Sequence, residues 1–253
     1  MTARELVAPI EMFAPIAMQE GWDNCGFSVG DSNKQVHKAL LALDCTENVI
    51  WEAVEGDCDI IITHHPLIFG GIRNVCPDNF TGRMIEAAIK NNLVIYSAHT
   101  NMDRAAAGVS ALMARRLELQ DTSPLTADGF GMIGELAQVM DSEEFTRYVQ
   151  HKYQDVPIRY SSPIKQKVKK IAVCGGSGKS FIKDALNIGA QVYITGDLPY
   201  HDFYCEKGFM VIDIGHYDSE KDIVKLFAKI LCENFPTFAV STSIQNYNPI
   251  YYH

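Results

Sequence analysis

The stretch Ile60-Ile61-Ile62-Thr63-His64-His65-Pro66 decides how this chain is read. Three apolar β-branched residues in a row, with no polar alternation, describe a strand buried on both faces, as in a parallel sheet. The C-terminal ends of such strands are where open α/β sheets place their sites. Pro66 biases His65 toward extended geometry and holds the chain out of a helix. Successive side chains on extended backbone point apart, so two imidazoles here are expected to serve two neighbouring ions rather than to clamp one. The alternative is one hydrogen-bonded core histidine beside one solvated histidine.

Two further stretches favour metal. Leu93-Val94-Ile95-Tyr96 runs into Ser97-Ala98-His99-Thr100-Asn101-Met102-Asp103, and Met210-Val211-Ile212-Asp213-Ile214 runs into Gly215-His216-Tyr217-Asp218-Ser219-Glu220. Each is a strand-like run, then a histidine, then a carboxylate four residues later, placed where a helix begins. Helical spacing follows in both cases, over Ala105 to Arg116 and from Ile223 through Leu231. Ser219 with Asp222 resembles a capping box for the second helix. Acidic residues at a helix start also suit the helix dipole, but that does not account for a histidine four residues earlier in both places. Three or four imidazoles with two carboxylates at predicted strand ends suit a pair of transition-metal ions, namely zinc, iron, manganese, cobalt or nickel, over calcium.

The 253 residues hold one large domain or two small ones. A net charge of -9 lacks the electrostatic footprint of a nucleic-acid or acidic-lipid binder. No run reaches transmembrane length, and Met1-Thr2-Ala3-Arg4-Glu5-Leu6 has no basic region leading into an apolar stretch, so neither a membrane span nor a secretory signal is expected. The seven cysteines show no C-x-x-C spacing and read as reduced small hydrophobes of a cytoplasmic protein. Cys25 and Cys174 stand beside glycine-rich loops.

The order strand–helix–strand–turn occurs twice. Ala39-Leu40-Leu41-Ala42-Leu43, a helix from about Thr46 to Glu55 and the strand ending at His64 match Lys170-Ile171-Ala172-Val173, a helix from about Phe181 to Asn187 and the strand ending in Thr195-Gly196-Asp197. The expected fold is α/β: two related α/β domains with mixed sheets. The first spans 1–124, with possible interleaving of the C-terminal segment, and the second 125–253. Thr122-Ser123-Pro124 looks like a linker, Gly129 to Leu136 like a hairpin or edge strand, and Ser142 to Tyr153 like a helix. Cys174-Gly175-Gly176-Ser177-Gly178-Lys179-Ser180 invites a phosphate-loop reading but has Val173 where that motif needs glycine. It reads as a tight strand-to-helix turn, with phosphate contact through backbone N–H groups as the alternative. Lys165, Lys167, Lys169 and Lys170 read as a solvated strand face, with anion binding as the alternative.

Gly21-Trp22-Asp23-Asn24-Cys25-Gly26, the Thr63-His64-His65-Pro66 turn, Ser97 to Asp103, Gly134-Glu135-Leu136, the Cys174–Gly178 loop, Thr195-Gly196-Asp197 and Gly215-His216 with Glu220 together resemble the NIF-three-like family, whose bacterial members are called GTP cyclohydrolase type-two homologues. Cys25 stands where many members carry valine, and the chain resembles the short form without an inserted domain. The resemblance implies two α/β domains around a dinuclear site and a toroidal homohexamer, a trimer of dimers. It also implies His64, His65, Asp103, His216 and Glu220 as metal ligands, with Glu220 bridging, and His99 just outside them, where it orients a ligand or water.

The function expected is that of a metal-dependent hydrolase acting on a nucleotide or related small molecule, GTP-cyclohydrolase-like, with His99 as proton carrier. The alternative is a non-catalytic metal-binding scaffold or regulatory interaction protein. A nucleic-acid clamp is the third reading, and the net charge argues against it.

Overall fold

The computed structural model describes residues 1–252 of the chain. The strands, in order, are β1 (Gly26–Val29), β2 (Lys38–Ala42), β3 (Ile60–Thr63), β4 (Val94–Ser97), β5 (Gln120–Pro124), β6 (Met132–Met140), β7 (Arg159–Tyr160), β8 (Val168–Val173), β9 (Val192–Thr195), β10 (Met210–Asp213) and β11 (Ala239–Thr242). They fall into two compact units, Met1–Met102 with Ile223–Tyr247, and Asp103–Asp222 with residues 248–252. The sequence places the division later, at 124/125. The difference lies in helix Val109–Arg116, which packs on β6 and β8 and so joins the second unit.

In the first unit the sheet order is β1-β4-β3-β2-β11. β11, β2, β3 and β4 run parallel, and β1 pairs antiparallel with β4. β3 lies at the centre, and Ile60, Ile61 and Ile62 are fully buried, as an unbroken apolar run requires. Leu40, Ala42, Ile61 and Ile95 form one core with Val49, Ile50, Ala53, Met84, Ile85 and Ala88, which come from helices Glu47–Glu55 and Phe80–Lys90. Each Leu, Ile, Val or Met side chain among them contributes about 1.5–3 kcal/mol on burial. Thr46 caps the helix after β2, its hydroxyl accepting the Val49 N–H at 3.3 Å. Helix Ile223–Asn234 packs on β2, on β11 and on helix Ala3–Phe13, so the C-terminal segment is built into the first unit.

In the second unit the order is β5-β6-β8-β9-β10-β7. β8, β9 and β10 are parallel, while β6 and β7 run antiparallel to β8 and β10. Both units therefore contain an antiparallel strand followed by three parallel ones in the spatial orders 1-4-3-2 and 7-10-9-8. The turn after β3 corresponds to the turn after β9, and the loop after β4 to the loop after β10. This recurrence is the topological form of the two related halves.

Three local expectations change. Gln120–Pro124 is an exposed edge strand rather than a linker. β6 sits inside the sheet between β5 and β8, because the buried Met132, Ile133 and Leu136 need cover that an edge cannot give. Ser219 does not start the second helix. It lies inside a short helix, His216–Glu220, and Asp222 instead pairs with Arg116. Glu220 is consequently the last residue of its helical turn, where the dipole gives an anion no help. Among the described residues no helix is long and apolar enough to cross a membrane.

Candidate metal centre

In the first unit His64, His65 and His99 come together. Their ring centroids are 5.0 Å (His64–His65), 5.2 Å (His64–His99) and 5.4 Å (His65–His99) apart. One ring nitrogen from each lies within 4.8 Å of the others, a spacing that can hold a metal ion. The His64 and His65 rings are closer than an extended chain predicts, because β3 ends at Thr63 and both residues lie in a bend. The bend is pinned from three sides. The His65 N–H donates to Leu43 O (3.0 Å), the Thr63 hydroxyl to His65 O (2.8 Å), and Thr63 and Ser97 share a hydroxyl–hydroxyl bond of 2.9 Å.

Each imidazole is also oriented through Nδ1. His64 bonds Ala98 O at 2.8 Å, His65 bonds Asp44 Oδ1 at 2.7 Å and His99 bonds Asp23 Oδ1 at 2.9 Å. A carboxylate or carbonyl at Nδ1 fixes the proton there and makes Nε2 the basic nitrogen, the arrangement of metal-binding histidines. Burial alone raises the Asp23 pKa, but hydrogen bonds from His99 and Thr100 outweigh it and hold this carboxyl well below the usual carboxylate range. Beside it, burial pushes the Cys25 thiol up to about 12. Cys25 Sγ lies 3.2 Å from both Asp23 Oδ2 and Asn101 Oδ1 and is a protonated donor.

In the second unit His216 and Glu220 occupy one helical turn at i and i+4, which brings His216 Nε2 to 3.0 Å from Glu220 Oε2. His216 Nδ1 bonds Asp197 Oδ2 at 2.7 Å. Asp197 stands in the turn after β9 with φ of 55°, a conformation Asp tolerates because its short side chain bonds locally. Asp103 and Glu220 both act on the buried Cys174 thiol. Burial first, then these two negative charges, push it up to about 12.

The glycine loop after β8 is the floor under Glu220. A side chain at Gly176 would overlap Glu220 Oε1, and one at Gly175 would overlap Val109 and stand 3.5 Å from Glu220 Cγ. Two of the loop's N–H groups are used within the protein, Gly176 N by Ser219 Oγ (2.9 Å) and Gly178 N by Thr195 Oγ1 (2.9 Å). These two donors are not open to a phosphate, and the loop makes the strand-to-helix turn between β8 and the short helix Gly178–Phe181. The lysine run is a solvated, ion-paired face: Lys167 bonds Asp141 at 3.0 Å, Lys169 bonds Glu135 at 2.9 Å, and Lys170 Nζ donates to Ile188 O.

All six candidate residues thus fall at C-terminal ends of parallel strands, three in each unit. His99 stands beside His64 and His65, its ring 5.2 and 5.4 Å from theirs. Sequence reasoning left Asp23, Asp44 and Asp197 without a role, although each follows or faces a strand end. The donor chemistry fits a divalent transition metal: neutral nitrogen donors, carboxylates to offset charge, and a carboxylate or carbonyl behind every imidazole.

Comparison with known proteins agrees with this architecture. The family described as Duf34/NIF3 (NGG1p interacting factor 3) matches residues 1–249. A Clostridium perfringens protein named GTP cyclohydrolase 1 type 2 homolog is 38% identical over 239 residues, 91% of each chain. A Bacillus cereus protein related to NIF3 shares the fold with a TM-score of 0.91 and 25% identity, covering 100% of this chain and 99% of that one. Reduced HcgD from Methanocaldococcus jannaschii has a TM-score of 0.83 at 31% identity, covering 96% and 97%. The chain belongs to the Duf34/NIF3 family.

Proposed function

We propose that the protein is a metal-dependent hydrolase of a nucleotide or related small molecule, and that His64 and His65 act with Asp103, His216 and Glu220 as one donor set for two divalent transition-metal ions. The observation that carries the reading is the oriented imidazole: His65, His99 and His216 each have an aspartate at Nδ1, and His64 has a backbone carbonyl there. Structural histidines do not need this repeated arrangement, whereas metal-binding ones use it to set tautomer and basicity. The chain passes between its two units at Met102/Asp103 and Asp222/Ile223, next to His99 and Glu220, and this connectivity supports bringing the two sets together. The names of the curated relatives supply the GTP-cyclohydrolase direction.

Divalent ions bound by these residues would supply Lewis acidity, lowering the pKa of water and polarising an electrophilic centre. The chain's own part is more specific. Asp44 and Asp197 hold His65 and His216 in one tautomer. Asp103 and Glu220 offset cationic charge, and the glycine loop sets the position of the Glu220 carboxylate. Asp23 keeps the His99 proton at Nδ1, so that Nε2 accepts and returns a proton during turnover. The reading includes a cytoplasmic homohexamer. The test is to strip the protein of metal, reload it, and screen hydrolysis of GTP and of phosphoesters. Turnover that His64→Ala and Glu220→Ala abolish supports the reading; its absence across metals and substrates refutes catalysis.

The family description as an interacting factor favours a second reading, a metal-binding scaffold without catalysis. Tight metal retention with no turnover on any substrate decides for it.

A further inference from the structure

Trp22 and Phe69 are large, exposed and close to each other, 56% and 65% accessible with ring centroids 5.5 Å apart. Both also reach the imidazole group of the first unit. The Trp22 and Phe69 rings each stand 6.2 Å from the His99 ring, edge-on at 73° and 70°. A single exposed apolar residue is ordinary, whereas apolar groups that are exposed together mark a binding surface. The loops that carry these two rings are pinned. Asn24 Nδ2 donates to Ile68 O at 2.9 Å and so ties the Trp22 loop to the Phe69 loop. The Glu20 N–H donates to Thr100 Oγ1 at 2.9 Å, and Asp23 joins the same segment to His99 and to the Thr100 N–H. The rings are therefore held in place by their backbones while their faces stay open, the preorganised condition for stacking a ligand.

We infer that Trp22 and Phe69 form a stacking platform for a flat fused-ring heterocycle, such as a purine, whose reacting part is thereby directed toward His64, His65 and His99. The inference rests on the proposed function for what happens next, but binding itself does not. The two ring planes meet at 57° rather than lying parallel. A flat ligand on one ring therefore presents its edge to the other, and a fused bicycle is wide enough to touch both. An aliphatic or sugar ligand gains only apolar contact here, whereas a heteroaromatic face also stacks on indole or phenyl, regardless of its hydrogen-bonding edge. Trp22 and Phe69 are specificity-determining positions on this view, outside the donor set.

Guanosine and ribose are the probes. In a Trp51→Phe background Trp22 is the remaining indole, so its fluorescence reports occupancy directly, and equilibrium dialysis reads the same Kd independently. Saturable quenching by guanosine with none by ribose is expected. Phe69→Leu should weaken guanosine about 10-fold, in line with loss of one stacking face, and Phe69→Tyr should restore it. Metal content is read on the same samples. Aromatic variants that lose guanosine but keep metal support the platform. Guanosine binding that depends on Phe69 in a protein that takes up no metal also supports it, and sinks the metal reading alone. Guanosine binding equal in wild type and Phe69→Leu, or no saturable binding, overturns the inference. So does a Phe69→Leu protein with altered oligomeric mass and unaltered guanosine affinity, which would make the ring face a contact between copies.

Discussion

Gly176→Ala separates the site from the scaffold more cleanly than any ligand substitution. Gly176 has φ of 63°, and a Cβ there would overlap Glu220 Oε1 and stand 3.3 Å from Glu220 Cδ and 3.6 Å from His216 Cε1. Two costs follow. Holding an L-residue in the left-handed region costs about 1–2 kcal/mol, which lowers the thermal midpoint by about 2–8 °C in a chain of this size. The overlap is the second. The closest atom is Glu220 Oε1, which must move by more than a few tenths of an ångström, and turning the carboxylate to make room also displaces Oε2, the 3.0 Å neighbour of His216 Nε2. A donor displaced this far should weaken metal binding at least about 10-fold, the scale of losses when a ligand's orientation is disturbed. Gly189→Ala is the control, since Gly189 has φ of 82° and nothing within 4 Å of an added Cβ. It should carry a similar stability loss with unchanged metal affinity. The assay is competition against a chromophoric chelator, with thermal unfolding of the metal-free proteins alongside. Wild-type affinity in Gly176→Ala would refute Glu220 as a donor fixed by the glycine loop.

Other expectations concern different links in the chain of causes. Asp197→Asn keeps the turn after β9 but removes the negative charge behind His216, so metal affinity should fall about 10–100-fold with little change in unfolding midpoint; a chelator titration reads it. Ile61→Ala at the centre of the first sheet should destabilise that unit by about 2–5 kcal/mol, because its surroundings collapse only partly around the cavity; urea unfolding checks this. Asp59 is held below the ordinary carboxylate range: burial raises its pKa, but the His37 N–H and Lys34 outweigh this. The folded state thus binds this proton less readily than the unfolded chain, so Asp59 stabilises at neutral pH and the contribution disappears as pH falls through the lowered pKa. Asp59→Asn should be less stable than wild type at pH 7, with the gap closing in acid. A gap independent of pH would count against this.

Much of the fold was legible because buried parallel strands write themselves as unbroken apolar runs. Ile60-Ile61-Ile62, Val94-Ile95-Tyr96 and Val211-Ile212 are strands for that reason, and their ends carry the histidines. Short or exposed strands leave no such trace. β11 (Ala239–Thr242) owes its strand to pairing with β2 rather than to its own pattern, and Gln120–Pro124 is polar enough to pass for a linker. The helix expected over Ala105 to Arg116 starts only at Val109, with Gly108 as its N-cap, and a separate short helix, Thr100–Arg104, precedes it.

In the site, the histidines could be found by their place after strands, but their aspartates could not. Asp23 meets His99 across 76 positions and Asp44 meets His65 across 21, and sheet order, not local spacing, sets these distances. The Gly176 contact with Glu220 is likewise tertiary. Its only local signal is a glycine-rich turn, which is why a phosphate loop competed with it on sequence alone.

Diffraction from crystals of metal-reconstituted protein, recorded across the absorption edge of the added metal, tests the shared donor set most directly. Two anomalous peaks per chain, in contact with His64, His65, Asp103, His216 and Glu220, are expected. No peak after reconstitution, or peaks bound only to surface groups away from these five side chains, would contradict it.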